Sequence, residues 1–184
     1  LSSSIKKFID YYGVKTGKKI SIFTNNDSAY ETVISLHKSG IEIGKIIDIR
    51  EKCSSSLINQ VEKLGIKILW KHTVVQTSGY KRIKSIEIME LSENGETVIG
   101  NKIKEKCDCL GISGGWTPMV HLFTQSGGKL KFRKDDNVFV PDLDKTPSNQ
   151  ISVGSCNGDF ELEDVIKNTL LSVKKFINIK DTNL

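Results

Sequence analysis

The residues Lys18–Lys38, KKISIFTNNDSAYETVISLHK, carry the clearest structural pattern of this chain. This stretch opens with Ile20–Phe23, a short apolar run containing β-branched residues, which is typical of a buried strand. A polar turn follows, and apolar residues then recur at helical spacing as Ala29, Val33 and Leu36. The stretch therefore predicts a strand, a tight turn and a helix in immediate succession.

The turn lies where dinucleotide-binding Rossmann units carry the glycine pattern G-x-G-x-x-G/A. Glycines are needed there because bare backbone lets the chain bend sharply and lets a pyrophosphate approach the helix N-terminus. The first two glycine positions are Thr24 and Asn26 here, and only the third, Ala29, fits the pattern. The sequence thus predicts the frame of a dinucleotide-binding unit in which two side chains push a pyrophosphate away.

A second apolar strand is predicted over Ile41–Ile49, and it contains Asp48 close to its end. Asp48 follows Ala29 by about 20 residues, the distance at which Rossmann units place an acid on the ribose 2′-hydroxyl. Many α/β units also end a strand with Asp. Two interpretations of Asp48 therefore stay open, a ribose ligand and an ordinary surface turn.

The next segments predict a sheet of mixed character. A helix capped within Ser54–Ser56 leads to a third strand at Ile66–Trp70, so the order βαβαβ predicts a parallel sheet. Alternating strands separated by glycine-containing turns follow at Thr73–Ser78, Arg82–Leu91 and Glu96–Lys104. The predicted fold class is α/β, a Rossmann-like parallel sheet with an antiparallel β-meander.

The C-terminal part repeats the order strand, glycine turn and helix. A buried strand at Cys107–Ile112 precedes Gly114–Pro118, and a strand at Ile151–Val153 precedes the turn Gly154–Asp159. An amphipathic helix is predicted over Leu162–Ile177. The glycines of both turns have two interpretations, close approach to a ligand and plain turn geometry.

Composition limits the classes of partner. The chain has 184 residues, 38% hydrophobic and 27% charged, with a formal net charge of +5 from scattered lysines. These lysines lack interleaved aromatics, so a solvated surface is favoured over a nucleic-acid interface. No apolar run approaches the length of a membrane span. We expect a cytoplasmic protein without nucleic-acid or membrane partners.

The sequence shows no chemical motif of its own. The four cysteines form no C-x-x-C pair and are predicted to be reduced, structural thiols rather than zinc ligands or a redox dithiol. No Ser-His-Asp or metal-ligand spacing is present, and no carboxylate pair is placed for acid–base work. We therefore predict no catalytic residue and no metal site.

The order of parts resembles the two-dinucleotide-domain flavoprotein reductases, the thioredoxin-reductase and disulfide-reductase group. In that group an NAD(P)-binding domain of three-layer ββα type interrupts a first dinucleotide domain, to which the chain then returns. The resemblance implies an inserted domain at 17–106 and a partial first domain made of 1–16 and 107–184. Ser155 replaces the acid of the group's Gly-Asp pair, which contacts a flavin, and the group's C-x-x-C is missing.

Within that group, the amino-acid sequence is most similar to the α subunits of heterotetrameric sarcosine oxidases, over Phe23–Tyr30, Ser113–Leu122 and Gln125–Leu130. The resemblance implies a middle region of a subunit that holds NAD tightly, with FAD and FMN on partner subunits. Such oxidases demethylate sarcosine to glycine with oxygen and tetrahydrofolate as acceptors. It also implies other subunits of a hetero-oligomeric oxidase as partners.

The replacement of two turn glycines by Thr24 and Asn26, together with the resemblance, predicts that NAD binds against the first domain rather than the inserted one. The expected contacts of that site are Gly114, Gly115, Trp116, Gly154, Ser155 and Cys156. If the inserted domain held the nucleotide, the contacts would be Asn25, Asn26 and Asp48. Two alternatives stay open: the equivalent subunit of another amine, opine or cyanide-forming dehydrogenase complex, and a nucleotide-free interaction scaffold.

Overall fold

The computed structural model describes residues 1–134, 138–147 and 150–177. The chain divides into two compact units, Leu1–Gly115 and Trp116–Leu184.

The first unit contains three helices and seven strands. They are α1 (Ser2–Asp10), β1 (Lys19–Thr24), α2 (Ser28–Lys38), β2 (Glu42–Asp48), α3 (Ser56–Lys63), β3 (Ile68–Trp70), β4 (His72–Gly79), β5 (Ile83–Leu91), β6 (Val98–Lys106) and β7 (Cys109–Ser113). The predicted cap of α3 is confirmed, since the Ser55 hydroxyl accepts a hydrogen bond of 3.3 Å from the backbone N–H of Ile58.

Four strands form a parallel sheet in the order β3-β2-β1-β7, and β4-β5-β6 form an antiparallel meander. Side chains alternate between the two faces of the parallel sheet. Ile22 and Ile46 join one core, whereas Phe23 and Ile47 join the other. Because both faces are covered, the strands are nearly continuously apolar. The predicted α/β class, with a Rossmann-like sheet and a meander, is confirmed.

The two cores define three layers. The three helices cover one face, with Ile5, Val33 and Val61 in the core that they share with the sheet. The meander covers the other face, where Ile86 and Ile88 are fully buried. The unit is thus built as helices, parallel sheet and antiparallel sheet.

The division between the units differs from the predicted one. Strand β7 pairs in parallel with β1, so it completes the central sheet of the first unit rather than opening a second domain. Helix α1 also packs in this unit, and the Thr32 hydroxyl of α2 donates a hydrogen bond of 3.2 Å to the Ser2 carbonyl. The sequence groups 1–16 with 107–184, but residues up to Gly115 pack together because long-range strand pairing is invisible in a local pattern.

Cys107 and Cys109 pack on different sides of the parallel sheet. Cys107 lies in the core under the meander, whereas Cys109 packs on the helical side, so the two do not line one face. Between them lies Asp108, whose carboxylate accepts hydrogen bonds from the backbone N–H groups of Lys18 and Lys19 at 2.8 and 2.9 Å. All four cysteines are free thiols, and burial raises the pKa of Cys107.

The second unit contains α4 (His121–Gln125), β8 (Leu130–Arg133), β9 (Val138–Pro141) and α5 (Leu162–Phe176), with β8 and β9 paired antiparallel. The predicted strand at Ile151–Val153 is wrong in the part of the chain that the structure describes. These residues belong to no strand, since a strand needs a neighbour to pair with. Among the described residues, no helix has the length and apolarity needed to cross a bilayer.

Candidate dinucleotide site

The candidate site of the first unit lies at the carboxyl ends of its central strands. β1 ends at Thr24, β2 at Asp48 and β7 at Ser113, and these three residues are in register. The chain runs from β1 to β2 on one side and returns to β7 on the other, so β1 and β7 flank a topological switch point. In open α/β sheets ligands bind in the crevice at this point.

Side chains make the turn in which a Rossmann unit would have glycines. The Thr24 hydroxyl donates to the Asn26 carbonyl at 2.9 Å and accepts from the Asn26 backbone N–H at 3.1 Å. No residue from Thr24 to Ser28 has a positive φ. The threonine hydroxyl therefore holds the bend, and Thr24 itself is buried.

The amides of this turn bridge the crevice. The Asn26 Nδ2 group donates to the Ser113 hydroxyl at 3.0 Å and to the Ser113 carbonyl at 3.3 Å. Its Oδ1 accepts the backbone N–H and the hydroxyl of Ser28, at 3.1 and 2.6 Å. Asn25 adds a 3.3 Å hydrogen bond from Nδ2 to the Gly114 carbonyl. The N–H at the start of α2 is thus bonded to this chain's own side chain.

Asp48 is fully buried, and four donors occupy its carboxylate. Oδ1 accepts the backbone N–H and Nε of Arg50 at 3.0 and 3.1 Å, and Oδ2 accepts the Tyr30 hydroxyl and a terminal nitrogen of Arg50, both at 2.8 Å. Burial first, and then the Asp48 charge, raise the pKa of Tyr30 well above its usual value. A carboxylate offers about four acceptor sites, so this one is saturated.

Arg50 links two elements at the crevice. The terminal nitrogen that contacts Asp48 also lies 2.8 Å from Oδ1 of Asp27, the residue that precedes α2. The hydrogen bond to Asp48 raises the pKa of Arg50 although burial opposes it. Asp27 in turn places a negative charge at the N-terminus of α2, where a helix attracts anions. The ion pair holds the end of β2 against the start of α2.

The glycines after β7 have different surroundings. Gly115 has a φ of +92°, in the left-handed region that favours glycine, so turn geometry alone accounts for it. A Cβ on Gly114 would meet no atom within 4 Å, which leaves room beside this residue. Trp116 begins the second unit and is 60% exposed.

The remaining predicted contacts lie in the second unit. Gly154–Asn157 form a short 3₁₀ helix, in which Gly154 has a φ of +67° and Ser155 is exposed. The Cys156 thiol lies 2.8 Å from the Val153 carbonyl. The Asp159 backbone N–H donates to the Gly154 carbonyl at 3.2 Å and closes the turn.

Several polar residues of these regions were missed by the sequence analysis. Asp27, Arg50 and Ser113 hold the first-unit crevice together, and the position of Arg50 two residues after Asp48 was the available signal. In the second unit Asp159 directly follows Gly158, so a Gly-Asp pair is present four residues after Gly154–Ser155, where Ser155 replaces the acid. One Asp159 oxygen accepts from Asn168 at 3.1 Å.

The predicted contacts divide between the two units. The structure brings Asn25, Asn26, Asp48, Gly114 and Gly115 to one edge of the first unit, whereas the other predicted contacts belong to the second unit. Within the described ranges, no group of three or more His, Cys, Asp or Glu residues could hold a metal ion. The first-unit crevice fits a dinucleotide poorly, since the Asn26 amide, the Ser28 N–H and the Asp48 carboxylate are already bonded to this chain's own groups.

Comparisons with known proteins identify relatives. No protein-family model matches the chain. It is 31% identical over 163 residues to the sarcosine oxidase subunit alpha of Corynebacterium sp. strain P-1, covering 88% of this chain and 16% of that protein. The subunit alpha of Rhizobium meliloti is 29% identical over 76% of this chain and 13% of its own length. The chain therefore spans less than a fifth of the length of these relatives.

Two solved structures share the fold. L-proline dehydrogenase from P. horikoshii matches 96% of this chain and 29% of its own chain, with a TM-score of 0.61 and 18% identity. Thioredoxin reductase from T. acidophilum matches 96% of this chain and 56% of its own, with a TM-score of 0.60 and 16% identity. The resemblance drawn from the sequence is confirmed, and the chain is a relative of the alpha subunits of sarcosine oxidase.

Proposed function

We propose that this chain is the NAD-associated scaffold region of the alpha subunit of a sarcosine oxidase, a multisubunit flavoenzyme. The observation that carries the proposal is the first-unit crevice, in which Asn25, Asn26 and Asp48 are bonded to this chain's own groups. Such a crevice is what we expect where a nucleotide-binding fold serves as a structural scaffold rather than as a ligand site. The likeness to three sarcosine oxidase alpha subunits supplies the oxidase context.

The oxidation itself would take place elsewhere in the enzyme. Sarcosine is demethylated to glycine on partner subunits carrying FAD and FMN, with oxygen and tetrahydrofolate as acceptors, in a cytoplasmic heterotetramer. This region supplies no acid, base or nucleophile and is inactive when isolated. The absence of a predicted catalytic motif in the sequence supports this division of labour.

NAD would bind in the complete subunit, against a first dinucleotide domain that this chain only completes. Its contacts would be Gly114, Gly115, Trp116, Gly154, Ser155 and Cys156. The space beside Gly114 and the exposure of Ser155 support these contacts, since a ligand could approach both. NAD would either transfer hydride there or only stabilise the structure, and the glycine turns would bind and orient it.

Calorimetric titration of NAD tests the proposal. The complete subunit is expected to bind NAD, whereas the chain of residues 1–184 alone is expected to show no binding heat. Binding to the chain alone would contradict the proposed location and make the first-unit crevice the site. No binding to either protein would favour the nucleotide-free scaffold.

The other oxidase-like alternative is the equivalent subunit of another amine, opine or cyanide-forming dehydrogenase complex. The fold likeness to L-proline dehydrogenase of P. horikoshii favours keeping it, although at 18% identity that likeness concerns the fold alone. Assaying the purified complex with sarcosine and with L-proline distinguishes the two alternatives, because they differ in the substrate that is oxidised. The complete complex is needed, because the flavin-bearing subunits would determine that substrate.

A further inference from the structure

We infer that the first-unit crevice is a dinucleotide site closed by this chain's own side chains, and that Arg50 and Asn26 are the residues that exclude the ligand. The inference goes beyond the proposed function, because it concerns one crevice and holds for whichever substrate the enzyme oxidises. It rests on two separate sets of contacts, one at each end of the crevice.

The first set occupies the position of the ribose. An acid at the end of β2 in a Rossmann unit accepts hydrogen bonds from ribose hydroxyls. Asp48 has the expected position, but its two oxygens already accept four donors. Tyr30 cannot withdraw, since it is fully buried. The Arg50 side chain retains 29% exposure, and its removal would take one hydrogen bond from each Asp48 oxygen.

The second set occupies the position of the pyrophosphate. Anions bind the start of a Rossmann helix through free backbone N–H groups and the helix dipole. Here the Ser28 N–H is bonded to Asn26 Oδ1, and the Asp27 carboxylate supplies the negative charge. The Asn26 amide also bonds across the switch point to Ser113. A phosphate would have to displace this amide and meet a like charge.

Arg50 connects the two sets. Its guanidinium reaches Asp48 through two nitrogens and Asp27 through one of them, at 2.8 Å to each carboxylate. A bidentate arginine–carboxylate pair is among the stronger hydrogen-bonded contacts in proteins. The ribose end and the phosphate end are therefore closed by one side chain together with one asparagine.

The test replaces these two residues in the complete subunit. The variant Asn26→Gly/Arg50→Leu is titrated with NAD by calorimetry, and the binding stoichiometry is compared with that of the wild type. The variant is expected to bind one additional NAD per subunit, with a Kd below about 1 mM. Because the readout is a difference in stoichiometry, it is independent of whether the wild-type subunit binds NAD at another place.

The matched control is Asn101→Gly/Arg82→Leu, which changes the same residue types at exposed positions of the meander. It should leave the stoichiometry at the wild-type value. Circular dichroism and thermal unfolding establish that each variant is folded. If the double variant does not fold, Asn26→Gly and Arg50→Lys are titrated singly, and each is expected to bind additional NAD that the wild type does not bind.

Two results would overturn the inference. One is an unchanged stoichiometry in folded variants, which would mean that these side chains are not what excludes the ligand. The other is wild-type binding of NADP that Arg50→Leu abolishes, since an arginine here can hold a 2′-phosphate. Arg50 would then be a ligand of an open site rather than part of its closure.

Discussion

At the residue scale, the chemistry of the first unit centres on Asp48. A fully buried carboxylate is costly unless it is paired and hydrogen-bonded, and Asp48 meets both conditions through Arg50 and Tyr30. The same contacts explain why Tyr30 can be buried, because its hydroxyl has an acceptor. The cluster is therefore a structural element that occupies the position of a ligand site.

Tyr30 gives this cluster a measurable pH dependence. Its folded pKa lies above the ordinary value of 10.0, so its contribution to stability is present below pH 10 and is lost as pH rises above it. We expect the free energy of unfolding to fall by about 1 kcal/mol more in the wild type than in Tyr30→Phe as the pH rises from 10 to 11. Urea unfolding at several pH values measures both slopes, and equal slopes would contradict the burial of an un-ionised Tyr30.

The residues of the crevice could be predicted from the sequence only in part. Two features were visible as local patterns: the spacing between Ala29 and Asp48, and the replacement of the glycines. The residues concerned lie in or beside the predicted strands and helix. The contact partners could not be predicted, since Ser113 is distant in sequence from Asn26 and meets it only after β7 pairs with β1. The spacing of Arg50 from Asp48 makes a contact between the two residues possible, but it does not show that the guanidinium folds back onto the carboxylate.

At the scale of elements, one buried carboxylate joins the two sheets of the first unit. Glu105 of β6 lies between Lys19 of β1 and Lys45 of β2, at 3.2 and 3.0 Å. Burial opposes its ionisation, but the hydrogen bonds from Lys45 and then Lys19 outweigh that effect and lower the pKa of Glu105. The meander is thus attached to the parallel sheet by a charged contact as well as by its apolar core.

Replacing this carboxylate should weaken the attachment. We expect Glu105→Gln to lower the free energy of unfolding at pH 7 by about 1 to 2 kcal/mol, the value of hydrogen bonds to charged groups discounted for the partial exposure of both lysines. Because the folded pKa is lowered, the loss should fade as pH falls below about 4.5. Denaturant unfolding at pH 7 and pH 3 tests this, with Glu87→Gln on the exposed Lys102 pair as the control. A cost that is the same at both pH values would show that the charge of Glu105 is not responsible.

The elements themselves were the easiest part to predict. The β-strands and helices of the first unit follow from periodicity, and the turn before β6 is confirmed by Gly95, which has a φ of +71°. The strand at Ile151–Val153 failed, because an apolar run becomes a strand only beside a pairing partner. The place of β7 in the central sheet depends on a pairing that joins residues far apart in the sequence.

At the scale of the whole molecule, the two units differ in how much apolar surface they bury. The second unit buries few apolar side chains within its described residues, among them Phe123, Val138 and Val140. Its longest helix, α5, has no buried residue, although Ile166 and Leu170 share one face. An amphipathic helix normally buries its apolar face, so we expect further polypeptide of the complete subunit to cover this one.

This expectation can be tested on α5. The variant Ile166→Glu/Leu170→Glu should change the melting temperature of the chain alone by less than about 2 °C, because both side chains are exposed. In the complete subunit it should cost several kcal/mol, since two charges would become buried without partners. Lys167→Glu on the same helix is the control and should be tolerated in both proteins. A small effect in the complete subunit would mean that the apolar face of α5 stays uncovered.

We propose that NAD of the complete subunit binds away from the part of the first-unit crevice formed by Asn26 and Asp48. Hydrogen–deuterium exchange of the complete subunit with and without NAD locates the ligand most directly. We predict slower exchange at Gly154–Cys156 when NAD is added, and unchanged exchange at Asn25, Asn26 and Ser28, whose backbone amides already donate hydrogen bonds within this chain. Protection at Asn25–Ser28 with none at Gly154–Cys156 would contradict the account, because NAD would then lie where this chain's own asparagines are placed.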